Sequence, residues 1–129
     1  MNKPALILVV EDNVGSLMLA TVLLETEGFE VAGAESAEEA RTILASRTPD
    51  LILMDVQLPG MDGLEFTKEI KADPATAGIP VVALTAHSMP EHEGAARAAG
   101  CVGFIPKPWT PESLGREVRD FLAQTTVSD

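Results

Sequence analysis

The sequence predicts an α/β fold in which a five-stranded parallel sheet carries helices on both faces. Four short runs rich in Val, Ile and Leu, at residues 5–10, 51–54, 80–84 and 102–105, are apolar without clean alternation, and a weaker fifth lies at 29–34. Continuous apolar runs of this length suit strands buried on both faces. Segments of helical character follow each run. Such strict alternation implies parallel strands joined by right-handed crossovers.

Each element has its own signals. The first helix, 14–27, is stopped by Gly28, where a C-terminal glycine belongs. Ser36-Ala37-Glu38-Glu39 reads as a capping box, with Ser36 as N-cap and Glu39 reaching back. The helix it opens turns Ala40, Ile43 and Leu44 inward and ends before Pro49. A third helix, 64–72, is terminated by Asp73-Pro74, and a fourth, 90–99, by Gly100. Thr110-Pro111 opens the last helix, with Thr as cap and Pro at the first helical position. Its apolar residues Leu114, Val118, Phe121 and Leu122 recur at helical spacing. The expected organisation is one domain over residues 1–129, with a core of about 4–123 and a polar, frayed tail at 124–129.

Composition narrows the function classes. A length of 129 residues is one domain's worth, and 46% hydrophobic with 22% charged residues is a globular balance. Nine basic residues against twenty acidic ones give a net charge of −11. That balance argues against binding to a nucleic-acid backbone or an anionic membrane surface. Cys101 is the single cysteine, so no intrachain disulfide forms, and it reads as a buried packing residue. No signal-peptide pattern or run of ~20 apolar residues is present, so the expected location is cytoplasmic.

In open α/β sheets ligands bind beyond the carboxyl ends of the strands, so the residues that end each apolar run matter most. The first run ends in Glu11-Asp12, the third in Asp55 and the fourth in Thr85, while Lys107 follows the fifth. Two carboxylates ~5 Å apart at an effective dielectric of ~20 repel by about 3 kcal/mol, so a cluster of three calls for a cation or a shared proton. Few carboxylates with open water positions suit Mg2+. The plain alternative is that Glu11 and Asp12 end a strand or cap the next helix. Asp55 is placed to act as a phosphoryl acceptor, since an aspartate can serve as nucleophile. The phosphoryl oxygens then need partners, which Mg2+, the Thr85 hydroxyl and the Lys107 ammonium can supply.

Val9-Val10-Glu11-Asp12-Asn13, Asp50-Leu51-Ile52-Leu53-Met54-Asp55, Leu58-Pro59-Gly60-Met61-Asp62-Gly63, Val81-Val82-Ala83-Leu84-Thr85-Ala86 and Lys107-Pro108 together resemble the receiver domain of two-component response regulators. The likeness extends over essentially the whole chain and is greatest to stand-alone receivers and receivers of hybrid histidine kinases. It implies a flavodoxin-like doubly wound sheet of strand order 2-1-3-4-5 with five helices. It implies phosphorylation of Asp55 by a histidine kinase or histidine phosphotransfer protein. It implies Mg2+ held by Asp12 and Asp55, with Glu11 acting through water and the Gln57 main-chain carbonyl as a further ligand. It also implies a switch, in which Thr85 moves toward the phosphoryl group and Phe104 turns inward behind it. Many relatives carry tyrosine there, so a switch on Phe104 rests on packing alone. The face built by the fourth helix, fifth strand and fifth helix then controls a downstream protein target. The resemblance further implies that catalysis is limited to the chain's own phosphorylation and slow autodephosphorylation.

Some positions are particular to this chain. Gln57 and His87 lie two residues beyond Asp55 and Thr85 and should flank the phosphoryl position. The first helix is apolar beyond the need of one buried stripe, so part of its surface is expected to remain exposed for a phosphodonor, with Leu17 and Met18 as the positions whose polar replacement should slow transfer; core packing or a weak homodimer of an otherwise monomeric protein is the alternative. Rival functions fare worse. A flavin or nucleotide carrier needs phosphate donors where Glu11-Asp12 stand, and an aspartate phosphatase needs a second acid where Gln57 stands. The remaining alternative is a receiver-fold scaffold that binds partners without phosphorylation.

Overall fold

The computed structural model describes residues 4–55, 63–85, 90–106 and 113–126. Among them the order is β1 (Leu6–Val10), α1 (Val14–Thr26), β2 (Glu30–Ala34), α2 (Ala37–Ser46), β3 (Leu51–Asp55), α3 (Gly63–Ala72), β4 (Val81–Thr85), α4 (Pro90–Ala99), β5 (Gly103–Pro106) and α5 (Ser113–Thr126). The strands form one parallel sheet in the order β2-β1-β3-β4-β5, as the resemblance to receiver domains implied.

Both faces of the sheet are covered. Side chains alternate across each strand, so Ile7, Val9, Leu51, Leu53, Val82 and Leu84 meet Ala20 and Leu24 of α1 and Leu114 and Val118 of α5. Leu8, Val10, Ile52, Met54, Val81 and Ala83 meet Ala37 and Ala40 of α2, Phe66 and Ile70 of α3 and Ala96 of α4. This double burial is why the central runs lack polar alternation. Edge strand β2 is only partly buried, which accounts for Glu30 in its sequence and for its weaker signal.

Local signals act largely where they stand. Gly28 and Gly100 have φ of +94° and +112°, a region that favours glycine. The Gly28 N–H donates to the Glu25 carbonyl and Phe29 N–H to Leu24, while Gly100 N–H donates to Arg97 and Cys101 N–H to Ala96. Both helix ends are thus closed by paired bonds back to the last turn, and the apolar residues joined across each closure belong to the same layer. Ser36 caps α2 by accepting from the Glu39 N–H at 3.2 Å. Glu39 reaches back one residue further than expected, to the Glu35 N–H at 2.8 Å. Helix α5 continues to Thr126, into the stretch expected to fray.

Two close approaches have measurable consequences. A Cβ added to Gly103 would lie 2.5 Å from Cε1 and Cζ of Phe121, so α5 rests on β5 only because that position lacks a side chain. Gly103→Ala is expected to cost about 1–3 kcal/mol in urea unfolding, the range for overpacked sites. Cys101 is buried, and burial pushes its thiol pKa up against the opposing effects of a hydrogen bond with Thr67 and the charge of Lys71. Lys71 spends its ammonium on the Ala77 and Ile79 carbonyls at 3.1 and 2.6 Å. At pH 8 the native thiol is therefore expected to resist an aromatic disulfide reagent that reacts promptly in denaturant. Prompt reaction in the native protein would contradict that burial.

Candidate functional site

From β1 the chain turns to β2 on one side, and β3 then pairs on the other side of β1. Connections diverge at such a reversal and leave a crevice beyond the carboxyl ends of the two strands. Register decides what lines it. Val10 pairs with Met54, so Glu11 and Asp55, each one residue further on, leave adjacent strands side by side. Carboxylate oxygens of Glu11, Asp12 and Asp55 all lie within 4.8 Å of one another. Glu11 is 1% exposed and Asp55 6%, whereas Asp12 is open to solvent.

The local chain explains how acids come to stand there. The Glu11 N–H donates to the Ala34 carbonyl at 2.9 Å, which fixes the residue just past the end of β1. Asn13 then caps α1, its side-chain oxygen accepting from the Ser16 N–H at 2.9 Å. The Asn13 N–H donates to Oε2 of Glu11 at 3.2 Å. The cap of α1 is therefore Asn13, not Glu11 or Asp12, and the plain reading of those acids as helix caps is set aside. Asn13 is the residue that the sequence reasoning missed. Its signal was present, since asparagine directly before an apolar helical segment is a preferred N-cap.

The cluster fits a hard divalent cation. All its donors are carboxylate oxygens, and two of the three acids are almost wholly removed from water. At ~5 Å and an effective dielectric of ~20, each like-charged pair costs about 3 kcal/mol, which a cation relieves. Oxygen donors of this kind suit Mg2+, with the exposed side at Asp12 left for water.

The other expected site residues divide into two groups. Gln57, His87 and Lys107 lie outside the described residues. The Thr85 backbone closes β4 one residue beyond Leu84, the register partner of Asp55, and its side chain lies outside what is described. Phe104 on β5 pairs with Ala83, is half-buried, and packs against the core under α2, α3 and α4. The Arg97 guanidinium, in the last turn of α4, sits 5.7 Å from the centre of its ring. No sequence pattern links these two residues; only the packing of α4 beside β5 does.

On α1, Val14, Met18 and Val22 are 53%, 64% and 57% exposed and stand four residues apart, forming an apolar stripe that begins next to the acids. Leu17 departs from expectation. It is half-buried and packs against the α1–α5 core, with its Cδ1 only 3.2 Å from where a side chain on Gly33 would begin.

Comparison with known proteins agrees with this geometry. The family description "Response regulator receiver domain" matches residues 7–119. The polar-differentiation response regulator DivK of Brucella anthropi is 37% identical over 119 residues, covering 92% of this chain and 97% of that protein. The Brucella ovis DivK is 38% identical over 116 residues, covering 90% and 94%. Among solved structures, the chemotaxis response regulator CheY4 of Vibrio cholerae aligns with a TM-score of 0.86 at 29% identity, over 91% of this chain and 98% of that one. The receiver domain of a Pseudomonas aeruginosa sensor histidine kinase, solved with magnesium coordinated in its active-site cleft, aligns with a TM-score of 0.82 at 28% identity, over 97% and 99%. With its sheet order, its acidic crevice and these relatives in agreement, the chain belongs to the response regulator receiver domain family of two-component signalling.

Proposed function

We propose that Asp55 receives a phosphoryl group from a phosphohistidine of a histidine kinase or phosphotransfer protein, at a Mg2+ site formed by Glu11, Asp12 and Asp55 with the Gln57 carbonyl. The observation that carries this reading is the convergence of three carboxylates from separate segments within 4.8 Å, two of them buried. A carboxylate oxygen of Asp55 forms the new bond to phosphorus as the bond to the donor nitrogen breaks, and the electron pair stays on the histidine. Bound Mg2+ supplies positive charge against the phosphoryl oxygens. Thr85 donates its hydroxyl to one oxygen and Lys107 its ammonium to another. Incubation with acetyl phosphate and Mg2+ should add one phosphoryl mass, and EDTA should prevent the addition. An unchanged mass would leave the phosphorylation-independent scaffold standing instead.

Phosphorylation then biases the α4-β5-α5 face, with Thr85 and Phe104 as the moving parts, toward a form that controls a downstream protein. Gln57 and His87 flank the phosphoryl position and influence how readily water attacks it. His87→Ala is expected to change the phosphate lifetime several-fold, the scale of a flanking polar group, and an unchanged decay rate would remove the residue from this role.

The donor docks on the stripe of Val14, Met18 and Val22, an exposed apolar surface adjoining the acids. Because Leu17 packs against the core, the informative substitutions are Met18→Gln and Val22→Gln. Together they should slow transfer from a cognate donor by roughly 10-fold, the scale of lost central contacts, and leave phosphorylation by acetyl phosphate unchanged. Equal slowing with both donors argues against docking there.

A further inference from the structure

We propose that Asn13 is a positioning residue for the acidic site, coupling cation binding to the first turn of α1. The inference rests on the reading of Glu11, Asp12 and Asp55 as a cation site. Asn13 belongs to two structures at once. Through its side chain it caps α1, accepting from Ser16 at 2.9 Å, and its main-chain carbonyl accepts from the Leu17 N–H at 2.9 Å. Through its main-chain N–H it donates to Oε2 of Glu11 at 3.2 Å. Its backbone is extended, with φ −80° and ψ 115°, the conformation usual at an N-cap.

Glu11 is 1% exposed, and a carboxylate so far from water depends on donors for its place. The Glu11 backbone is fixed on one side by the Ala34 carbonyl, and the Asn13 N–H holds its carboxylate on the other. A bond of 3.2 Å is at the long end of the N–H···O range, so it is sensitive to small rotations of the turn. When the Oδ1–Ser16 bond is lost, one of the two bonds that tie Asn13 to α1 is gone, the turn loosens, and the Asn13 N–H holds the Glu11 carboxylate less firmly toward Asp12 and Asp55. Conversely, a cation that draws the three carboxylates together holds the Asn13 N–H in place and stiffens the turn from Asn13 to Leu17. The apolar stripe starts at Val14, inside that turn, so cation occupancy and the shape of the stripe's first residue are linked.

The test compares Mg2+ affinity by calorimetry in the full chain and in four variants. Asn13→Ala removes the acceptor. Asn13→Gly also removes it, yet glycine is tolerated at N-caps and disturbs helix stability less. Asn13→Ser restores an acceptor of the same kind. Ser36→Ala removes a comparable cap from α2, where the bond runs to Glu39 rather than toward the acids. Loss of the Asn13 acceptor is expected to weaken Mg2+ binding about 3- to 10-fold, at or below the low end of what lost outer partners of metal ligands cost. Asn13→Ser should bind within about twofold of the unsubstituted protein, and Ser36→Ala should bind as it does. Amide exchange gives the second readout: Mg2+ should slow exchange at Ser16 in the unsubstituted protein and have no such effect in Asn13→Gly. Unchanged affinity in both Asn13→Ala and Asn13→Gly overturns the coupling, as does equal weakening in Ser36→Ala. If the unsubstituted protein takes up no Mg2+, the cation-site reading itself falls and takes the coupling with it. That result is distinct from Mg2+ binding that ignores Asn13.

Discussion

Asp55→Asn is expected to end phosphoryl uptake while making the metal-free protein more stable. The amide has nearly the shape of the carboxylate but no anionic oxygen, so it cannot attack phosphorus. The same change removes one charge from a cluster whose oxygens lie within 4.8 Å of one another. Each like-charged pair costs about 3 kcal/mol at ~5 Å and an effective dielectric of ~20, and solvent at exposed Asp12 screens part of it, so a gain of about 1–3 kcal/mol is expected. Mg2+ is expected to reverse the ranking, because binding at the proposed site would stabilise the unsubstituted protein while the variant lacks one of its carboxylates. Intact mass after acetyl phosphate tests the first claim, and urea unfolding with and without Mg2+ tests the second. A variant that still gains phosphoryl mass moves the acceptor elsewhere. A variant that is less stable without Mg2+ contradicts the crowding of charge.

The second large effect is expected at Leu53. It lies in the middle of β3, pairs with Val9 and Val82 on either side, and is fully buried against the α1–α5 layer. Leu53→Ala leaves a cavity that flanking strands cannot close without breaking register, so about 2–5 kcal/mol should be lost. Typical domains have about 5–15 kcal/mol in total, so the urea midpoint should fall sharply. Met18→Ala provides the contrast. Its side chain is 64% exposed, so its effect should stay within about 0.5 kcal/mol. Similar shifts for the two variants would contradict the burial pattern.

Much of this was legible in the sequence, and particular residues show why. The strands lie within one residue of the apolar runs, yet β3, β4 and β5 close on Asp55, Thr85 and Pro106 rather than on the last apolar residue. Backbone pairing does not depend on side-chain polarity, so it continues past the end of an apolar run. Gly28 and Gly100 stop their helices because few other residues adopt their φ at low cost. Helix α1 was harder to read. It is apolar nearly all round, so its sequence could not distinguish Leu17, which faces the sheet, from Met18, which faces water. The acids were identifiable from strand ends, but their separation depends on the β1–β3 register, which sequence periodicity does not fix. Asn13 was overlooked because the acids before it were candidate caps themselves, and only the bond from Ser16 decides between them.

Cys101 is the only thiol in the sequence and is sealed beneath the end of α4. A cysteine introduced at Met18 therefore becomes the lone accessible attachment point for a spin label or fluorophore. Approach of a signalling partner can then be followed against a silent background, with the native cysteine left in place.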